Sequence, residues 1–132
     1  MGFMQEAIPH VKNAGGLILS DEVQTGFGRC GTHYWGCDWL GFKPDLVTMA
    51  KGIGNGFPLA AVATSREIAN CMEKVTFTTY GANPMAMAAG REVLKVIDDE
   101  GYQENCRVLG ERFMKGLNEL KDKYEEVGDV RG

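Results

Sequence analysis

Asp21 and Glu22 close a short apolar run, and Lys51 closes a second run thirty positions beyond Asp21. Open parallel sheets collect ligands at the carboxyl ends of their strands, so an acid and an amine placed there could face one pocket. A partly desolvated primary amine titrates lower and attacks aldehydes, which is how a lysine holds a carbonyl compound covalently. From these residue types alone two readings stay open. One is a shared ligand site; the other is a structural ion pair, or two solvated side chains at loop entrances.

Lys51 runs into G-I-G-N-G, with glycines at 52, 54 and 56, where backbone without Cβ atoms could approach a ligand. The spacing does not fit G-x-G-x-x-G, Phe57-Pro58 interrupts the helix a dinucleotide fingerprint needs, and no G-K-[ST] is present. Dinucleotide and nucleoside-triphosphate binding are set aside on that basis. Cys30, His33 and Cys37 give C-x2-H-x3-C, but no fourth ligand lies at useful spacing, so no metal is expected. Cysteines at 30, 37, 71 and 106 are too sparse for a disulfide-built miniprotein, and no secretory signal precedes them. Free thiols in a reducing compartment are expected.

The elements that must position these residues follow from periodicity. Phe3, Ala7, Ile8 and Val11 lie on a helical stripe interrupted by Pro9, and Gly15-Gly16 stop that helix. Leu17 to Ser20 reads as a strand buried on both faces. Residues 26–41 hold five glycines and two tryptophans, which suits an ordered loop with Trp35 and Trp39 as anchors. Leu46-Val47-Thr48-Met49 reads as a second buried strand, and Leu59 to Ala63 as a third apolar run. Thr64-x-x-Glu67 has capping-box spacing and predicts a short helix to about Met72. Asn83-Pro84 predicts an N-cap and first-turn proline opening a helix to about Asp99. Leu109, Phe113, Leu117, Leu120 and Tyr124 mark a last amphipathic helix. Strands alternating with helices argue for an α/β architecture with a largely parallel sheet.

The 132 residues, 44% hydrophobic and 24% charged, fit one soluble globular unit. A compact chain of this length could bury roughly two-thirds of its unfolded surface, so a sizeable core is expected. The formal net charge of −4 comes without a basic cluster, which argues against nucleic acid as a partner. No apolar stretch approaches the ~20 residues that a membrane-spanning helix needs.

Three blocks stand in order: D-E-V-Q-T-G-F-G-R from Asp21 to Arg29, P-D-L-V-T-M-A-K-G-I-G-N-G-F-P from Pro44 to Pro58, and T-T-Y-G-A-N-P from Thr78 to Pro84. Together they resemble the class III, ω-type, pyridoxal-phosphate-dependent aminotransferases, and the likeness runs through essentially all 132 residues. The resemblance implies part of the large domain of a fold-type I transferase, a mostly parallel sheet with flanking helices. The strand from Leu59 to Ala63 would run antiparallel to its neighbours. Residues 1–132 would be a partial cofactor-binding domain, lacking an upstream segment and a downstream small domain.

The resemblance further implies that Lys51 forms the Schiff base with pyridoxal 5'-phosphate, and that Asp21 pairs with the pyridine nitrogen. Val23 would pack on the ring, Gln24 would hydrogen-bond the ring hydroxyl, and Thr79 would bind phosphate of a neighbouring subunit's cofactor. Alternation in an extended segment would put Asp21 and Val23 on one side, with a local turn needed at Gln24. The family usually has Gly-Gly-Asn-Pro where this chain has Gly81-Ala82-Asn83-Pro84. If position 82 needs a positive φ, the extra methyl costs roughly 1–2 kcal/mol.

The implied reaction moves an amino group from an amino acid such as alanine to an oxo-acid such as glyoxylate, in a homodimer or higher homo-oligomer. Mitochondrial location is implied, with cytoplasm the alternative. Other readings are a phospholyase acting on amino-alcohol phosphates, and a non-catalytic remnant that pairs with a full-length subunit.

Overall fold

The computed structural model describes residues 2–132. The chain opens with helix α1 (Phe3–Asn13), which keeps its course through Pro9 and ends where Gly15 takes φ 78°. It continues through β1 (Leu19–Asp21), a short α2 (Gly36–Trp39) and β2 (Leu46–Met49). A 3-10 turn over Lys51–Ile53 leads to β3 (Ala61–Thr64), then come α3 (Arg66–Ala69), α4 (Pro84–Asp99) and α5 (Tyr102–Lys123).

The sheet has the order β1-β2-β3. β1 and β2 pair in parallel, with Leu19 opposite Leu46 and Asp21 opposite Thr48. β3 pairs antiparallel to β2, with Thr64 opposite Leu46 and Ala61 opposite Met49. Asp45 fixes where the parallel pair begins. Its carboxylate accepts the Ile18 amide over 2.6 Å and pairs with Lys12 of α1, while its own amide donates to the Ile18 carbonyl over 2.7 Å. The Ile18 amide and then Lys12 hold the Asp45 carboxyl below the usual carboxylate range.

Helix α4 starts as its residue types dictate. Asn83 Oδ1 accepts the Ala86 amide over 2.9 Å, and Pro84 occupies the first turn, where no donor is needed. Gly90 lets α4 settle on Leu59 and Ile53; a Cβ there would lie 2.6 Å from Leu59 Cδ2 and 3.5 Å from the Ile53 carbonyl. The next helix, α5, follows Gly101 at φ 64°.

Three expectations change. The N-cap of α3 is Ser65, whose Oγ accepts the Ile68 amide, and the helix stops at Ala69. Thr64 is drawn instead into β3, where its hydroxyl donates to the Asp45 carbonyl over 2.8 Å. β1 is not buried on both faces: Leu19 is 53% exposed while Ser20 is covered. A sizeable core does not form either. Among the described residues the fully covered hydrophobic side chains are Cys37 and Ala86. The chain exposes 10165 Å², where a compact monomer of its 14.4 kDa exposes roughly 6,800 Å². A three-stranded sheet with short strands offers the helices too little area to close a core.

Candidate active site

Register places the two groups singled out above. Asp21 ends β1 opposite Thr48, and the next amide, of Glu22, donates to the Thr48 carbonyl over 3.0 Å. β2 ends one residue later at Met49, and Lys51 opens the 3-10 turn just beyond. Asp21 and Lys51 therefore leave adjacent parallel strands at the same end. Both are exposed, and among the described residues neither belongs to an ion pair. The structural ion-pair reading falls on that observation, which leaves the shared ligand site and two solvated side chains as the readings.

Lys51 sits at φ 46°, a left-handed backbone that non-glycine residues adopt at a cost. The Gly54 and Asn55 amides both donate to its carbonyl, over 3.1 and 2.9 Å, and so hold the turn. The glycines beyond serve the turn itself. A Cβ at Gly54 would lie 2.2 Å from the Phe57 carbonyl, so the close approach is to the chain's own backbone.

The segment after Asp21 departs from the extended geometry expected. The Val23 amide donates back to Asp21 Oδ1 over 3.1 Å, and residues 23–30 turn. Alternation along a strand therefore does not decide which side Val23 faces. Gln24 lies exposed in that turn, where the expected change of direction occurs.

Beneath the turn lies a residue that sequence reasoning left without a role. Glu22 is 1% exposed and its carboxylate accepts from the Ser20 hydroxyl at 2.9 Å, the Thr25 hydroxyl at 2.5 Å, and the Gly36 and Cys37 amides at 2.8 Å each. Burial opposes its ionisation, but the hydrogen bonds from Thr25, Gly36, Cys37 and Ser20 outweigh it and hold the carboxyl below its ordinary range. Hydroxyls at Ser20 and Thr25 were the sequence signal; the amides came from a loop no spacing rule connects to them. Phe27 and Trp35 meet edge to face with centroids 5.1 Å apart, and Trp35 also lies against Gly26. Trp35 thus anchors the loop, whereas Trp39 is 45% exposed and does not.

Thr79 lies in an exposed turn ahead of α4. Among the described residues no hydrogen bond ties this turn to the strand ends carrying Asp21 and Lys51. Ala82, in the same turn, has φ 53°, so the positive φ considered for this position is present. Two clefts lie between the turn after β1 and the helices. One of about 580 Å³ lies between Phe27, Gly52, Asn55, Glu92 and Tyr102; another of about 870 Å³ runs along Leu109, Phe113 and Leu117 of α5. Neither is lined by Lys51 or Asp21.

The family profile described as aminotransferase class-III matches residues 1–132. The chain belongs to the class-III aminotransferases. Human mitochondrial alanine–glyoxylate aminotransferase 2 is 52% identical over 133 residues, covering 99% of this chain and 26% of that protein. An S-selective transaminase from Arthrobacter sp. superposes with a TM-score of 0.90 at 36% identity, covering 99% of this chain and 29% of that one. A phospholyase from Arthrobacter, solved with phosphoethanolamine, superposes with a TM-score of 0.94 at 39% identity, covering 99% and 32%. The chain thus spans about a quarter of the curated relative's length, and its small sheet with helices corresponds to part of the large domain of class-III aminotransferases. The family implies pyridoxal phosphate as cofactor.

Proposed function

We propose that this chain is the part of a pyridoxal-phosphate-dependent aminotransferase that carries the cofactor-holding lysine, Lys51. The observation that carries the reading is an amine and a carboxylate, both exposed and, among the described residues, outside any ion pair, at the same end of two adjacent parallel strands. An aldehyde is held by a primary amine and a pyridine nitrogen by a carboxylate, so the donor set fits the group.

In this reading Lys51 holds the cofactor through Nζ and, once freed, moves a proton at the substrate α-carbon. Positioned proton transfer of this kind contributes about 10²–10⁴-fold. Asp21, whose Oδ1 accepts the Val23 amide, would keep the ring nitrogen protonated. Val23 would cover the ring, Gln24 would meet its hydroxyl, and Thr79 would serve the phosphate of a second subunit. When bound, pyridoxal phosphate supplies an electron sink for carbanion charge.

The whole protein moves an amino group from an amino acid such as alanine to an oxo-acid such as glyoxylate, as a homodimer or higher homo-oligomer. The human relative's name supports that pair and a mitochondrial location. The likeness to the Arthrobacter phospholyase favours a second reading, elimination of phosphate from an amino-alcohol phosphate.

The test is spectroscopic and then chemical. Pyridoxal phosphate should give an absorbance band near the visible edge, and borohydride should fix it on Lys51 as a mass increment. Fixation on other lysines only would overturn the reading. In the full-length protein, pyruvate formed from alanine with glyoxylate supports the aminotransferase, and phosphate released from phosphoethanolamine supports the phospholyase.

A further inference from the structure

We propose that Cys30 and Cys106 form a thiol pair that closes to a disulfide under a hydroperoxide, fastening the turn after β1 to α5. The reading is independent of the cofactor. Residues 28–31 lie directly on one turn of α5. A Cβ at Gly28 would sit 2.9 Å from Gln103 Cβ, and one at Gly31 would sit 2.6 Å from Arg107 Cα. That Cβ on Gly31 would also lie 2.7 Å from the Arg107 backbone nitrogen, the atom bonded to Cys106, so the contact falls on the Cys106 side. Two glycines at φ 77° and 74° make this approach possible, and the amides of Gly28 and Gly31 hold the segment through the carbonyls of Tyr34 and Gly28.

Cys30 and Cys106 are therefore the residues just before two touching backbones. One residue along the chain moves a Cα by about 3.8 Å, and a disulfide needs Cα atoms about 4.4–6.8 Å apart. Both thiols are free and half-buried. The Cys30 sulfur donates to the Thr25 carbonyl over 3.4 Å, and Cys106 lines both clefts together with Arg29. The remaining cysteines are placed differently. Cys37 is buried against Glu22, and Cys71 is exposed at the end of α3. Burial, then Glu22 and Cys106, raise the Cys30 thiol above its ordinary value, so closure should quicken as pH rises.

The step balances. One thiol takes an oxygen from the hydroperoxide and becomes a sulfenic acid, while the peroxide leaves as water or an alcohol. The second sulfur then attacks the sulfenic sulfur, the S–O bond breaks, and hydroxide leaves as water with the thiol's proton. Two thiols are oxidised and one peroxide is reduced.

The chain treated with hydrogen peroxide, alkylated and cleaved with chymotrypsin without reductant tests this. Cleavage after Tyr34 and Trp35 separates Cys30 from Cys37. Expected is a dithiothreitol-reversible link between the Cys30 and Cys106 peptides in monomeric material, with Cys37 and Cys71 recovered alkylated. In Cys106→Ser, Cys30 should instead be trapped by dimedone as sulfenic acid. A disordered chain would favour the short Cys30–Cys37 loop by roughly 35-fold, so disorder cannot imitate the expected result. A dominant Cys30–Cys37 link, a Cys30–Cys106 link found only in covalent dimers, or no link overturns the proposal.

Discussion

The Cys37 amide donates to Glu22 Oε1 over 2.8 Å, and the Gly36 amide reaches Oε2 over the same length. These bonds tie the residue that follows β1 to the first turn of α2, while the Asp21 carboxylate beside it accepts the Val23 amide. Glu22→Ala strands two buried amides and two hydroxyls; a loss of about 3 kcal/mol or more in urea unfolding is expected. A loss within about 0.5 kcal/mol would sink that account.

Glu22 also predicts a pH signature. Its folded-state titration lies below the ordinary value of 4.5. The stability it contributes is therefore present above about pH 4.5 and lost as pH falls through the folded value. The gap between wild type and Glu22→Gln in urea midpoint should stay level from about pH 5 to 8 and shrink below that. A gap that widens in acid would show the sign to be wrong.

Lys51 carries both the amine and a backbone at φ 46°. Lys51→Gly should match or exceed wild-type stability by up to about 1 kcal/mol, since relief of a left-handed backbone offsets the entropy of glycine. Lys51→Ala keeps the strain and should unfold no later than wild type. Both should lose borohydride fixation of pyridoxal phosphate at this position. Thermal midpoints in the opposite order would remove strain from the description.

Ala82→Gly is expected to stabilise by about 0.5–1 kcal/mol, because φ 53° is a position glycine occupies without penalty. Differential scanning calorimetry of the two proteins decides it; an unchanged or lower midpoint counts against the argument.

Gly31→Ala combines φ 74° with a Cβ placed 2.6 Å from the Arg107 backbone. A cost of about 2–3 kcal/mol is expected, since both the backbone and the neighbouring helix must shift. Hydrogen exchange should quicken at residues 28–31 and at the start of α5 together.

Much of the fold was legible where the cause is local. Asn83 and Pro84 carry their own reasons for opening α4, and the helix ends at Asp99 as expected. Thr64 shows why a motif fails: its hydroxyl has a cross-strand partner in Asp45, and Ser65 takes over as cap. Glu22 was illegible for a related reason. The amides that justify burying an acid lie 14 and 15 residues downstream, in a loop whose path no periodicity predicts. The placing of Asp21 and Lys51 at one end of the sheet was legible from the strand ends; the φ of Lys51 was not, because it arises from the turn that follows.

The parallel register has a consequence for how such chains can vary. Asp21 opposite Thr48 acts as a fixed ruler, and the tether from Met49 to Lys51 is one residue, Ala50. Lengthening or shortening the loop between the strands need not change the distance between carboxylate and amine. A single insertion beside Ala50 must change it, whereas between β1 and β2 length is constrained only where the loop holds Glu22 and where residues 28–31 meet α5.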